Sequence, residues 1–182
     1  MNVLASKGQL RASFIRWALF TVPTCVLLGF LASQLGSPQS VWFESLEKPA
    51  LFPDPAVFRI VWTVLYIMMG LAVALICAAW GARGRSLALL LFVVQFVINL
   101  SWSSVFFGSY RISGGLMLMV ALGFMLLATI VAFWRIRTLA GAMLLPYLAW
   151  VCFAGVLNYQ FLQLNPDADG VDPTQPVQRI EF

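Results

Sequence analysis

Five long apolar runs dominate the chain, at residues 17–35, 57–80, 87–107, 114–134 and 139–161, with charged and turn-forming residues gathered between them. Each run is near the ~20 residues a helix needs to cross a bilayer core. The apolar stretches are continuous and too long for buried strands, so the pattern predicts membrane-spanning helices. The expected fold is an all-α integral membrane protein, a bundle of five transmembrane helices. One domain is expected over residues 1–165, with a flexible Asp/Pro/Gln-rich tail at residues 166–182. The first run is too long, and its flanks too poorly matched, for a cleavable signal peptide. Pro23 and Pro146 lie inside spans and are candidate kinks, tolerated where neighbouring helices satisfy the freed carbonyls.

The connections are short except for residues 36–56, which carry Pro38, Pro49, Pro53 and Pro55. Trp42, Phe43, Leu46, Leu51 and Phe52 in this loop would be costly to leave in water. The segment therefore reads as an ordered lid. Composition agrees with a lipid-solvated chain: of 182 residues 62% are hydrophobic and 10% charged, and the mean hydropathy is +0.91. A soluble domain carries roughly 25% charged residues.

The net charge of +4 does not describe a nucleic-acid surface, because the basic residues form no stripe. They divide between the two ends of the spans instead. Seven (Lys7, Arg11, Arg16, Arg83, Arg85, Arg135 and Arg137) fall on one side, and four (Lys48, Arg59, Arg111 and Arg179) on the other. The positive-inside rule then places the N-terminus in the cytoplasm of a bacterial inner membrane, with the lid and the C-terminus outside.

There is no histidine, and all seven acidic residues lie outside the spans. Ion and proton pumps use intramembrane ionisable groups, so that class is disfavoured. Cys25, Cys77 and Cys152 fall in apolar runs and read as small hydrophobes. No metal site is expected. Asp167, Asp169, Gly170 and Asp172 have the wrong spacing for a calcium loop.

Trp17, Trp80 and Trp134 sit at the cytoplasmic span ends, as an interfacial belt explains. Other aromatic and amide residues converge elsewhere. At about 1.5 Å per residue, Trp62 and Trp102 lie about 8 Å below the outer boundary, Ala154 about 11 Å, Asn99 about 12 Å, Tyr66 about 14 Å, Trp150 about 17 Å and Asn158 about 5 Å. Helical spacing puts Trp62 with Tyr66 on one face, Gln95, Asn99, Trp102 and Phe106 on a second, and Tyr147, Trp150, Ala154 and Asn158 on a third. Two readings stay open. Aromatic walls with convergent amides suit a flat apolar ligand, and the same residues serve equally as packing and interhelical glue.

Several blocks carry a resemblance to a known family. They are Trp42-Phe43-x-x-Leu46-x-Lys48-Pro49 with Pro53, Val61-Trp62-x-x-Leu65-Tyr66, Gln95-x-x-x-Asn99-x-x-Trp102-Ser103-x-x-Phe106-Phe107, and Leu145-Pro146-Tyr147-x-x-Trp150-x-x-Phe153-Ala154-x-x-Leu157-Asn158, closed by Leu164-Asn165. Over roughly residues 20–165 the chain resembles the translocator protein/tryptophan-rich sensory protein (TspO/MBR) family. The resemblance implies a five-helix bundle, usually a homodimer, whose pocket is closed by the first loop. It also implies a membrane receptor or carrier for tetrapyrroles such as protoporphyrin IX and related apolar ligands. The tetrapyrrole would be a ligand, and no cofactor is implied.

By motif match the ligand-binding residues are Trp42, Phe43, Pro53, Trp62, Tyr66, Asn99, Trp102, Phe106, Trp150, Ala154 and Asn158. Trp62 and Asn99 are the pair expected to make polar contacts. Two alternatives accompany this expectation: a light- and oxygen-dependent porphyrin-degrading enzyme centred on Trp62, and a dimeric regulator acting through partner proteins. The chain departs from the family pattern at Phe43, where some members have Tyr, and at Asp54, which replaces the second residue of a Pro-Pro pair. Tyr159 is followed by Gln160, Phe161, Leu162, Gln163 and Leu164, with no Arg or Lys in reach, so the sterol-recognition pattern is not met.

Overall fold

The computed structural model describes residues 7–36 and 39–172; Pro38, Arg179, Glu181 and the tail beyond residue 172 lie outside the described residues. The helices are α1 (Lys7–Ser33), α2 (Val41–Ser45), α3 (Pro55–Cys77), α4 (Arg85–Ser103), α5 (Ile112–Ile136), α6 (Thr138–Met143) and α7 (Leu145–Leu164). A π-helical turn, Ser104–Gly108, continues α4, and no strand occurs among the described residues. Five stretches are long and apolar enough to cross a membrane: Gly8–Ser33, Pro55–Cys77, Arg85–Gly108, Ile112–Ile136 and Thr138–Leu164. The five-helix expectation holds.

The boundaries differ in instructive ways. The first helix starts ten residues before Trp17, at Lys7, because a helix can continue past the lipid where hydropathy gives no signal. Pro23 does not interrupt α1. Pro146 does mark a break: the fifth span divides at Leu144, between α6 and α7. Proline lacks an N–H and crowds the residue before it, so the new helix begins with Pro146 in its first turn.

Small residues draw the helices together. A Cβ on Gly70 would stand 2.5 Å from the Cα of Val22, so α1 crosses α3 directly over that glycine. Thr21 Oγ1 reaches the Gly70 carbonyl oxygen at 2.7 Å in the same crossing. The opposite end of the bundle from α2 is closed by Arg85, whose guanidinium donates to the carbonyl oxygens of Ile76 and Cys77 at 3.1 and 3.0 Å. These are end-of-helix carbonyls without an intrahelical donor. The core at that end mixes small and aliphatic side chains with one ring stack: Ala72, Ile76, Ala88, Leu126, Ala140 and Leu144 are fully buried, and Phe92 stacks on buried Phe133 at 6.1 Å.

The loop expected as a lid is ordered around α2. Ser40 Oγ accepts from the Phe43 N–H at 3.2 Å, a standard N-cap. Lys48 Nζ donates to the Phe43 and Leu46 carbonyl oxygens and lies 4.0 Å from the Phe43 ring centroid. A five-residue helix has little stability of its own, and here both ends are satisfied and the apolar side is buried. Asp54, the departure from the family's Pro-Pro pair, N-caps α3 by accepting from the Ala56 N–H at 2.7 Å.

The expectation of a flexible tail from residue 166 fails for its first part. Pro166–Ala168 form a 3-10 turn. The chain then lies back against α2 and the start of α5 instead of leaving the surface, held by the hydrogen bonds described below.

Candidate functional site

The cap helix α2 seats two large rings on the end of the bundle. Trp42 and Phe43 are 4% and 6% exposed, so the cap is closed in this structure. Trp42 meets Phe106 and Tyr110 at centroid distances of 5.8 and 5.4 Å. Phe43 meets Phe107 at 5.1 Å and Phe161 at 5.6 Å. The π-helical turn helps here, because it presents Phe106 and its neighbour Phe107 to the same cap ring. Such turns interrupt helices mostly at functional sites. Tyr110, just beyond the turn, has φ 56°, in the left-handed region that a bulky residue occupies only when its surroundings hold it there.

Beneath the cap, α3 and α7 meet chiefly through side-chain rings. Phe52 touches Phe58 at 5.5 Å, Phe58 touches Trp150 at 5.4 Å, and Trp62 meets Tyr147 edge-on at 6.1 Å. Trp62 also stacks on Tyr66 at 5.6 Å. Trp102 stacks on Phe106 at 4.8 Å and so joins the cap cluster to the main core.

The amides lie among these rings. Asn99 Oδ1 accepts from Tyr66 O–H at 3.0 Å. Asn158 Oδ1 accepts from Trp102 Nε1–H at 3.2 Å while its Nδ2 donates to the Ile112 carbonyl oxygen at 2.8 Å. That arrangement requires a glycine on α5: a Cβ at Gly115 would stand 2.8 Å from Asn158 Oδ1 and 3.0 Å from the Phe106 ring. Gly29 serves Tyr66 similarly, since a Cβ there would lie 2.3 Å from the phenol ring. Tyr147 O–H donates to Gln95 Oε1 at 3.3 Å. Two donors in the layer remain without a partner although fully buried, Gln95 Nε2 and Trp150 Nε1. A buried unpaired donor costs ~1–3 kcal/mol.

The residues expected from sequence are thus distributed over one connected aromatic region. Trp42, Phe43, Phe106 and Trp102 meet under the cap, and Asn158 joins them through Trp102. Trp62, Tyr66 and Trp150 pack against the main core, to which buried Ala154 belongs. Trp62 and Asn99 both contact Tyr66, one through its face and the other through its hydroxyl. Pro53 is half-buried between Phe52 and the Asp54 cap. The layer is occupied by the protein's own side chains. Two open surface hollows lie elsewhere, one of about 390 Å³ beside Arg16, Trp17 and Trp80, and one of about 410 Å³ on the exposed faces of α4 and α5.

Sequence reasoning left several contributors out of the site. Gln95 was visible on the Asn99 stripe, and Phe58 stands four residues before Trp62 on α3. Phe107 and Phe161 belong to the same apolar faces, but only the π turn and the seated cap bring them together. Asn165 closed the last block of the family resemblance, but nothing in the sequence signalled its pairing with Glu47.

The family comparisons cover the same region. A profile of the TspO/MBR family matches residues 21–164. The tryptophan-rich protein TspO of Chlorobaculum tepidum is 39% identical over 144 residues, covering 78% of this chain and 91% of the relative. The tryptophan-rich sensory protein of Cereibacter sphaeroides is 34% identical over 157 residues, 82% of this chain and 92% of the relative. The translocator protein of Bos taurus is 33% identical over 140 residues, 75% of this chain and 83% of the relative.

Proposed function

Since the chain belongs to the TspO/MBR family, and is accordingly an integral multi-pass membrane protein of the translocator and sensory-protein kind, we propose that it binds a tetrapyrrole such as protoporphyrin IX between α3 and α7, beneath the cap. One observation carries this reading. The space between those helices is lined by rings and retains two buried donors without partners, Trp150 Nε1 and Gln95 Nε2. A porphyrin offers two flat apolar faces to the rings and carboxylate oxygens to the donors. Burying an unpaired donor is unfavourable in the empty state and is relieved when an acceptor arrives.

On this reading the closed layer is the resting state. The cap lifts, Phe58 and Trp150 part, and the macrocycle replaces ring–ring contacts with ring–macrocycle contacts of similar kind. The excess of Lys and Arg at the other end of the spans supports a cap on the outer face, in a bacterial inner membrane on this reading. A homodimer, as the family resemblance implies, would use lipid-facing side chains. Gly70 and Gly108 face α1 and the Leu35 carbonyl within the same chain.

Titrating protoporphyrin IX into the purified protein while following tryptophan fluorescence tests the site. Saturable quenching is expected, weakened at least tenfold by Trp62→Ala combined with Asn99→Ala. Unchanged affinity in that double variant would show the site to be wrong.

A second reading, porphyrin breakdown driven by light and oxygen, is favoured by one contact: Trp62 stacked on Tyr66 sets two oxidisable rings face to face. Illuminating the complex and following the Soret band separates the readings. Loss at the rate of free porphyrin removes the enzymatic one.

A further inference from the structure

The segment after α7 makes a run of specific hydrogen bonds to the cap and to the loop beside it. Asn165 pairs with the backbone of Glu47 as a neighbouring strand would: its Oδ1 accepts from the Glu47 N–H at 2.7 Å, and its Nδ2 donates to the Glu47 carbonyl oxygen at 3.0 Å. Nδ2 also lies 3.0 Å from the Phe161 carbonyl oxygen, which fixes the amide to the end of α7. Three residues on, the Ala168 carbonyl oxygen accepts from Trp42 Nε1–H at 3.2 Å. Asp169 Oδ1 accepts from the Ser113 N–H at 3.0 Å, and the Gly170 N–H donates to the Tyr110 carbonyl oxygen at 2.8 Å.

The six residues from Asn165 to Gly170 therefore bind α2 on one side and the Tyr110–Ser113 turn on the other. The bonds to Glu47 and Trp42 must break if the cap is to lift, while those to Phe161, Tyr110 and Ser113 anchor the segment to the ends of α7 and α5. Tyr110 gives the same indication, because its left-handed backbone holds the carbonyl that receives Gly170.

We propose that residues 165–170 are a latch on the cap, and that Asn165 is the positioning residue that sets how often the cap opens and how long a ligand stays beneath it. The second clause rests on the binding reading given above; the first does not. Asn165 touches no proposed ligand position and acts only through the backbone of Glu47.

The test separates the two. Hydrogen exchange of the full-length protein in detergent, with no ligand added, is followed by mass spectrometry for wild type, Asn165→Ala, Asn165→Asp and Asp169→Ala. Losing both Glu47 bonds is expected to raise exchange across residues 42–47 about tenfold, given the modest net worth of a hydrogen bond, while the cores of α3 and α5 keep wild-type protection. Asn165→Asp keeps the acceptor for the Glu47 N–H and should fall between. Asp169→Ala, at the far end of the latch, should raise exchange in the same cap residues.

The dissociation rate of protoporphyrin IX is then measured on the same variants and should rise in the same order. Cap exchange identical to wild type in both Asn165→Ala and Asp169→Ala overturns the latch. Faster cap exchange with an unchanged dissociation rate overturns its control of ligand residence. Faster cap exchange in a protein that binds no porphyrin keeps the latch and removes the ligand reading. A general rise in exchange over the spans assigns Asn165 to global stability and also overturns the proposal.

Discussion

The two halves of this bundle are built from different materials. The half away from the cap is closed by small and aliphatic residues around a stack of Phe92 on Phe133, with Gly70 pressed on Val22 and Ala72, Ala88 and Ala140 wholly buried. Its side-chain hydrogen bonds go to backbone carbonyls, as with Thr129 to Met125, Thr21 to Gly70 across the α1–α3 crossing, and Arg85 on the last carbonyls of α3. The cap half is held by rings and amides from α2, α3, α4 and α7, and it leaves buried donors unpaired. Close backbone contact makes a rigid junction with one arrangement. Rings bridging a wider gap can exchange one aromatic partner for another at small cost. On the binding reading proposed above, the contrast gives folding stability to one half and ligand exchange to the other.

The contrast can be broken most severely at Gly70. A Cβ there meets the Val22 backbone, which cannot swing aside, so Gly70→Val is expected to destabilise by about 3 kcal/mol, the upper range for overpacking. Thermal unfolding in detergent would measure it, and a wild-type midpoint would refute the rigid junction. Asn158→Leu comes next. It strands the Trp102 N–H and removes a second acceptor bond at the Ile112 carbonyl oxygen, at a cost of about 2 kcal/mol, with porphyrin affinity falling as the layer distorts.

Trp150→Phe sharpens the comparison more than it breaks it. The indole N–H has no partner in the empty protein, so losing it should shift the unfolding midpoint by only a few degrees. Affinity for protoporphyrin IX should still drop about tenfold, the worth of a hydrogen bond to a charged acceptor. Equal losses in stability and affinity would mean that Trp150 is packing alone.

The smallest effect is expected from acid. Burial raises the carboxyl pKa of Asp169, but hydrogen bonds from Ser113 and Ile112 and the charge of Arg111 outweigh it, leaving the pKa below its ordinary 3.8. A carboxyl lowered on folding contributes stability that is complete above the ordinary value and is lost as pH falls through the folded one. Trp42 fluorescence should therefore hold steady down to about pH 4 and change below it, and Asp169→Asn should remove that change.

The spans were legible because lipid leaves a chain few options: long apolar runs become helices, and their count survives errors at the ends. Spacing also revealed the faces, since Trp62 with Tyr66 and Asn99 with Trp102 follow from helical geometry alone. What those faces do to each other was not legible. No pattern in the chain tells that Asn158 is taken by Trp102, because that contact depends on Gly115 lying opposite it on α5. The latch was misread for a related reason. Asp167, Asp169 and Gly170 have the composition of a flexible tail, and only the positions of Glu47, Ser113 and Tyr110 give them partners.

The π-helical turn at Ser104–Gly108 has a consequence for how such a chain can vary. An i→i+5 turn holds one residue more than the α-helical turn it replaces, so deleting a single residue there would return α4 to regular winding without shortening the span appreciably. Everything beyond the deletion would keep nearly its present direction, but the widened turn that sets Phe106 and Phe107 side by side against Phe43 would be gone. In this stretch, therefore, the length of the chain is tied to the seat of the cap, and loss of one codon would loosen that seat while leaving the rest of the bundle standing.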